Sequence, residues 1–115
     1  MPRLMSVSLT EQAVVERRKT VTRRLGWTFL KPGDRLTLCR KVMGRKKGEP
    51  LVRVAEVEVV SAWREQLRVI TPSDVEAEGF PGWTVPQFCR FFMDSHKGCG
   101  LTTDVTRVEW RYLDA

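Results

Sequence analysis

Between Leu51 and Val60 the chain places valine at positions 52, 54, 57, 59 and 60. Side chains branched at Cβ are stiff in a helix and pack well on a pleated surface. This run is therefore a strand, long enough to bend or to continue past Ala62 towards Leu67. Other segments repeat the signal. Arg35-Leu36-Thr37-Leu38-Cys39 alternates apolar with polar, and Val105 to Leu113 sets Thr106, Val108, Trp110 and Tyr112 against charged neighbours. Leu4 to Leu9 alternates more weakly, and Thr20-Val21-Thr22 marks another extended stretch. The polar loop from Gly44 to Pro50 joins two antiparallel strands.

Helical signals are fewer. Thr10 precedes Glu11 and an apolar-containing run, which predicts an N-capped helix over about 11–18 that ends in basic residues. Thr71-Pro72-Ser73-Asp74 has the order of a helix start, and Gly79 closes that helix. Thr84 opens another, with Val85, Phe88, Phe91 and Phe92 at helical spacing, and these phenylalanines are core candidates. Lys31-Pro32-Gly33-Asp34 is a turn with proline at its second position. Strands dominate and helices interrupt them. The expected fold is α+β: a small barrel of five or six strands with two or three short peripheral helices, since curling the sheet protects its edges.

With 115 residues, residues 1–115 form one domain. No apolar run approaches the roughly 18 residues that span a bilayer, and residues 1–10 lack the apolar stretch of a secretion signal. The three cysteines, at 39, 89 and 99, are an odd number and suit reduced thiols in a cytoplasmic protein. Together with His96 they have the chemistry of zinc ligands, but no CxxC pair is present, so buried free thiols are expected, with neither metal nor cofactor. Charge is uneven. Residues 1–54 hold 14 Lys/Arg against 4 Asp/Glu, whereas residues 55–115 hold 6 against 10. Such an asymmetry points to an anionic partner, most often nucleic acid, or to a solvated face.

Arg18-Lys19-Thr20-Val21-Thr22-Arg23-Arg24, followed by Lys31-Pro32-Gly33-Asp34, resembles the signature of ASCH domains, small β-barrels related to the PUA RNA-binding domain. Ile70-Thr71-Pro72 leading to Glu78-Gly79-Phe80, and the closing Val105-Thr106-Arg107-Val108-Glu109-Trp110, extend the resemblance over nearly the whole chain in the same order. The likeness is to the small stand-alone members of bacteria and phages. It implies two functions. One is binding of RNA or single-stranded nucleic acid in a cleft between barrel and helices. The other is hydrolysis: some small bacterial members remove the acetyl group of N4-acetylcytidine with a Lys, a Thr and a Glu. Lys19, Thr22 and Glu78 occupy the matching motif positions.

The chemistry of that trio is coherent. A threonine hydroxyl needs a base to take its proton. Lysine serves only if burial or nearby positive charge lowers its pKa, and Arg18, Arg23 and Arg24 supply the charge. Glu78 then orients water or protonates the leaving amine. The plainer reading is that Lys19, Thr20 and Thr22 merely enter a barrel strand, with both threonines on one face. For nucleic acid, Arg18, Arg23 and Arg24 with the loop Arg45-Lys46-Lys47 are the candidate phosphate contacts. Trp27, Phe80 or Trp83 is the candidate stacking platform, Trp83 foremost. The expected partner is RNA, single-stranded nucleic acid or a modified nucleoside. A small adaptor that docks another protein on its basic face is the remaining alternative.

Overall fold

The computed structural model describes residues 2–113. Five strands form one mixed sheet: β1 (Arg3–Ser6), β2 (Val21–Arg24), β3 (Arg35–Cys39), β4 (Arg53–Gln66) and β5 (Asp104–Tyr112), in the spatial order β1-β3-β4-β5-β2. Only β1 and β3 run parallel; the other neighbours are antiparallel. Three short helices accompany them: α1 (Glu11–Val15), α2 (Pro72–Ala77) and α3 (Val85–Ser95). The sheet curls into a half-barrel, an α+β architecture of PUA-like type. No helix among the described residues is long and apolar enough to cross a membrane.

β4 makes the curl possible. Its first half pairs with β3 and its second half with β5. Val59 faces Trp110 while Ser61 faces Glu109, so Val60 is an extra residue on β4. Such a bulge bends a strand and increases its twist. The main core lies inside the curl, where Met5, Leu36, Leu38, Val57, Val59, Val108 and Trp110 are buried together with Val14 of α1. A second apolar cluster (Leu67, Ile70, Val75, Phe88, Cys89, Phe92 and Val105) packs α2 and α3 against the far end of β5.

Two helix starts agree with the sequence. Thr71 Oγ1 accepts from the Asp74 amide at 3.2 Å, and Thr84 and Gln87 form a reciprocal capping box. α1 differs. It is a five-residue helix, not one reaching 18, and Thr10 makes no capping bond through its side chain. The chain enters α1 from a 3-10 turn over Ser8–Thr10, so the Thr10 amide is already satisfied by the Val7 carbonyl. At the other end the Arg18 amide donates to Ala13 and the Arg17 amide to Val14. This is a Schellman termination, with Arg17 at φ 60° where glycine is usual.

α2 is tied to the sheet by charge. Asp74 Oδ2 accepts from Arg23 Nη2 of β2 and Arg107 Nε of β5, each at 2.7 Å, and Oδ1 accepts from Arg107 Nη2 at 3.1 Å. The Arg107 hydrogen bond, with help from Arg23, holds the Asp74 carboxyl below its ordinary value of 3.8 against the opposing effect of burial. A depressed folded-state value adds stability above the unfolded value, and that stability disappears as pH falls through the folded one. The melting temperature is therefore expected to drop in acid below about pH 4. In Asp74→Asn it is expected to be lower at neutral pH, by about 2 kcal/mol of stability, with a flatter acid limb. Thermal melts across pH read both; an Asn variant as acid-sensitive as the parent would contradict the assignment.

Candidate functional site

The half-barrel leaves its two edge strands, β1 and β2, unpaired with each other. Arg24 of β2 spans the seam, donating from Nη2 to the Ser6 carbonyl of β1 at 2.7 Å. Beside this bridge is a cavity of about 170 Å³. Ser6–Thr10 form one wall, Lys19 and Thr22–Arg24 another, and Glu78 with Phe80, Phe88, Phe91, Phe92 and His96 the rest. Pockets for drug-sized ligands run from roughly 300 to 1,000 Å³, so this one suits a group of about one small ring.

Lys19 is 2% exposed. The turn after α1 fixes its backbone: its amide donates to Ala13, and its carbonyl accepts from Trp110 Nε1 at 3.0 Å and the Tyr112 hydroxyl at 2.5 Å. Lys19 Nζ donates to the Glu78 carbonyl at 2.7 Å and to Glu78 Oε1 at 3.1 Å. Burial pushes the Lys19 ammonium below its ordinary pKa; Glu78 opposes this, while the positive charges of Arg24 and Arg23 add to it.

Glu78 is equally buried, at 3%. It ends α2, and Gly79 follows at φ 107°, a conformation open to glycine. Space demands glycine there as well, because an added Cβ would lie 3.0 Å from the Ala13 Cβ. α1 and the end of α2 thus meet closely enough to put Lys19 and Glu78 in contact. Thr22, also buried, accepts from Arg24 Nε at 3.2 Å through its Oγ1. Lys19, Thr22 and Glu78 line one cavity, with Lys19 and Glu78 in direct contact and Thr22 bonded to Arg24.

The basic residues separate into different environments. Arg23 needs correction: it is not a surface phosphate contact. Its side chain is 1% exposed, with Nη2 at 2.8 Å from Glu65 Oε2 and 2.7 Å from Asp74 Oδ2, and Nη1 at 3.4 Å from Glu78 Oε2. Three carboxylates hold it because a buried guanidinium left unpaired would be costly. Arg24 commits Nε and Nη2 inside the protein. Arg18 is exposed and pairs with Glu16 at 2.6 Å. Arg45, Lys46 and Lys47 are fully on the surface and do not border the cavity. Trp83 is 39% exposed and packs on Phe80 (centroids 4.7 Å apart) and on Phe91 (5.6 Å). Trp27 packs against the main core instead.

Sequence reasoning missed the aromatic wall. Phe88 and Phe92 are core residues, as their spacing indicated, whereas Phe91, which the same spacing placed in the core, is only half-buried; all three border the cavity. His96, weighed only as a metal ligand, stacks on Phe92 at the cavity's edge. Among the described residues no group of three or more His, Cys, Asp or Glu side chains is placed to hold a metal ion. Cys39 and Cys89 are buried thiols that burial pushes to higher pKa, and neither borders the cavity.

This architecture is that of the ASCH domains. A protein of the DUF984 family from Enterococcus faecalis V583, EF3133, superposes with a TM-score of 0.66 at 14% identity, covering 99% of this chain and 77% of its own. An ASCH protein from Zymomonas mobilis gives 0.61 at 16% identity, with 94% of this chain and 65% of its own covered. An ASCH domain from Lactobacillus crispatus JV V101 gives 0.62 at 9% identity, with 96% and 79% covered. At these identities the likeness is one of fold. No family model and no curated protein matches the sequence.

Proposed function

We propose that the seam cavity takes a nucleoside carrying an acylated amine, of the N4-acetylcytidine kind, and hydrolyses its amide. One observation carries this reading: a buried lysine with a lowered pKa, held by Glu78, borders a one-ring cavity that Thr22 also lines. In its neutral form Lys19 takes the Thr22 hydroxyl proton, and the freed oxygen attacks the amide carbonyl carbon. Arg24 Nε, already on Thr22 Oγ1, favours negative charge developing there. The C–N bond breaks as Lys19 passes the proton taken from Thr22 to the leaving amine, while the Glu78 carboxylate holds the Lys19 ammonium. Water then cleaves the Thr22 ester, releasing the carboxylic acid and restoring the hydroxyl. The mechanism requires Nζ to turn from the Glu78 carbonyl towards Thr22 once a ligand is bound.

Incubation with N4-acetylcytidine and chromatography for cytidine tests the reading. Because neutral Lys19 is the base, the rate is expected to rise with pH, with its inflection below the ordinary lysine value of 10.5. In Lys19→Met it is expected to fall by about 100-fold or more. No cytidine at high enzyme concentration, or a rate that falls as pH rises, would contradict the proposal.

A second reading, binding of RNA or single-stranded nucleic acid, is favoured by the 45–47 loop. Arg45 spends its Nε on the Val42 carbonyl, and no carboxylate pairs with the Arg45, Lys46 or Lys47 side chains among the described residues. Three surface cations without a direct ion pair suit phosphates. Reversing all three charges is expected to reduce the slope of log K against log salt by about 2 for a single strand. An oligonucleotide titration at several salt concentrations measures it, and an unchanged slope would exclude this loop.

A further inference from the structure

We propose that His96 selects the ligand of the seam cavity by offering it a hydrogen-bond acceptor, so that a base carrying an N–H donor is preferred over one with a carbonyl in its place. The inference rests on the reading of the cavity as a nucleoside site. His96 ends α3, and its ring lies on Phe92 with centroids 4.1 Å apart and planes 21° from parallel. Nδ1 is 2.9 Å from the Phe92 carbonyl oxygen. A carbonyl oxygen only accepts, so Nδ1 carries a proton and donates. In the neutral ring Nε2 is then an acceptor. It has no partner among the described residues, and the side chain borders the cavity.

Its surroundings make that acceptor distinctive. Lys19, Arg23 and Arg24 bring donors to the cavity wall. The two carboxylate oxygens of Glu78 are already met by Lys19 and Arg23, and its carbonyl by Lys19. Among the residues that border the cavity, His96 carries the ring or carboxylate acceptor that has no protein donor among the described residues. A ligand that seals the cavity while presenting a carbonyl to Nε2 would set two acceptors against each other. An amino or amide N–H satisfies both partners.

Calorimetric titration with cytidine and uridine tests the proposal. Cytidine has an amino group at C4 and an unprotonated N3, and uridine a carbonyl at C4 and an N–H at N3, so N4,N4-dimethylcytidine, which keeps cytidine's N3, isolates the exocyclic donor. The parent protein is expected to bind cytidine about tenfold more tightly. His96→Phe, which keeps a stacked ring but has no acceptor, is expected to bring the ratio close to one, and His96→Gln, which restores an acceptor, to retain the preference. N4,N4-dimethylcytidine, which lacks the donor, is expected to bind the parent protein as weakly as uridine, so the test does not depend on any variant folding. A preference that persists in His96→Phe overturns the role of His96, as does a parent protein that binds cytidine and uridine equally or N4,N4-dimethylcytidine as well as cytidine. A parent protein that binds none of the three nucleosides instead overturns the reading of the cavity, and this proposal with it.

Discussion

Replacing Glu78 by alanine is expected to destabilise the protein by about 3–5 kcal/mol, the usual cost of removing one partner from a buried ion pair. Glu78 faces Lys19 through Oε1 and Arg23 through Oε2, and all three side chains are at most 4% exposed. Without the carboxylate, two buried cations remain. Lys19 can relieve part of the cost by losing its proton, since burial already lowers its pKa. Arg23 cannot, because a guanidinium stays charged, and it would keep only Glu65 and Asp74. Glu78→Gln, which keeps the shape and one acceptor, is expected to lose about 1–3 kcal/mol. Urea unfolding of the three proteins separates these values. An alanine variant as stable as the parent would mean that Glu78 does not compensate the buried charge.

Thr22→Ala is expected to lower the rate of N4-acetylcytidine hydrolysis by about 1,000-fold or more, as loss of a nucleophile does. The fold is expected to survive. Thr22 accepts one hydrogen bond, from Arg24, and Arg24 keeps its second anchor on the Ser6 carbonyl. Thr22→Ser retains the hydroxyl and is expected to keep measurable turnover. Folded Thr22→Ala with the parent's rate would remove Thr22 from the reaction. Comparing both variants under substrate saturation distinguishes loss of chemistry from loss of binding.

Local signals were legible wherever local chemistry decides the structure. The valines of β4, the alternation in β3 and β5, and the caps at Thr71 and Thr84 all act within a few residues of where they stand. The end of α1 was hidden because Arg17 occupies the left-handed position usually marked by glycine. The bulge at Val60 was hidden because it arises from the pairing of β4 with two different neighbours.

Arg23 shows why the site was only partly readable. In the chain it looks like one more member of a basic cluster. The carboxylates that draw it inside stand 42, 51 and 55 residues further on, at Glu65, Asp74 and Glu78. Lys19 and Glu78 were found through motif resemblance, since 59 residues separate them and no spacing rule connects them. The aromatic wall was half visible: helical spacing assigned Phe88, Phe91 and Phe92 to the core, where Phe91 is only half-buried, and spacing cannot tell which of them border a cavity.

A crystal structure of Thr22→Ala grown with N4-acetylcytidine tests the central claim most directly. The account predicts density for the base in the seam between β1 and β2, its acyl group facing Lys19 and Glu78 and its ring against the phenylalanines of α3. Density confined to the 45–47 loop or to the outer face of Trp83, with none in the seam, would contradict it.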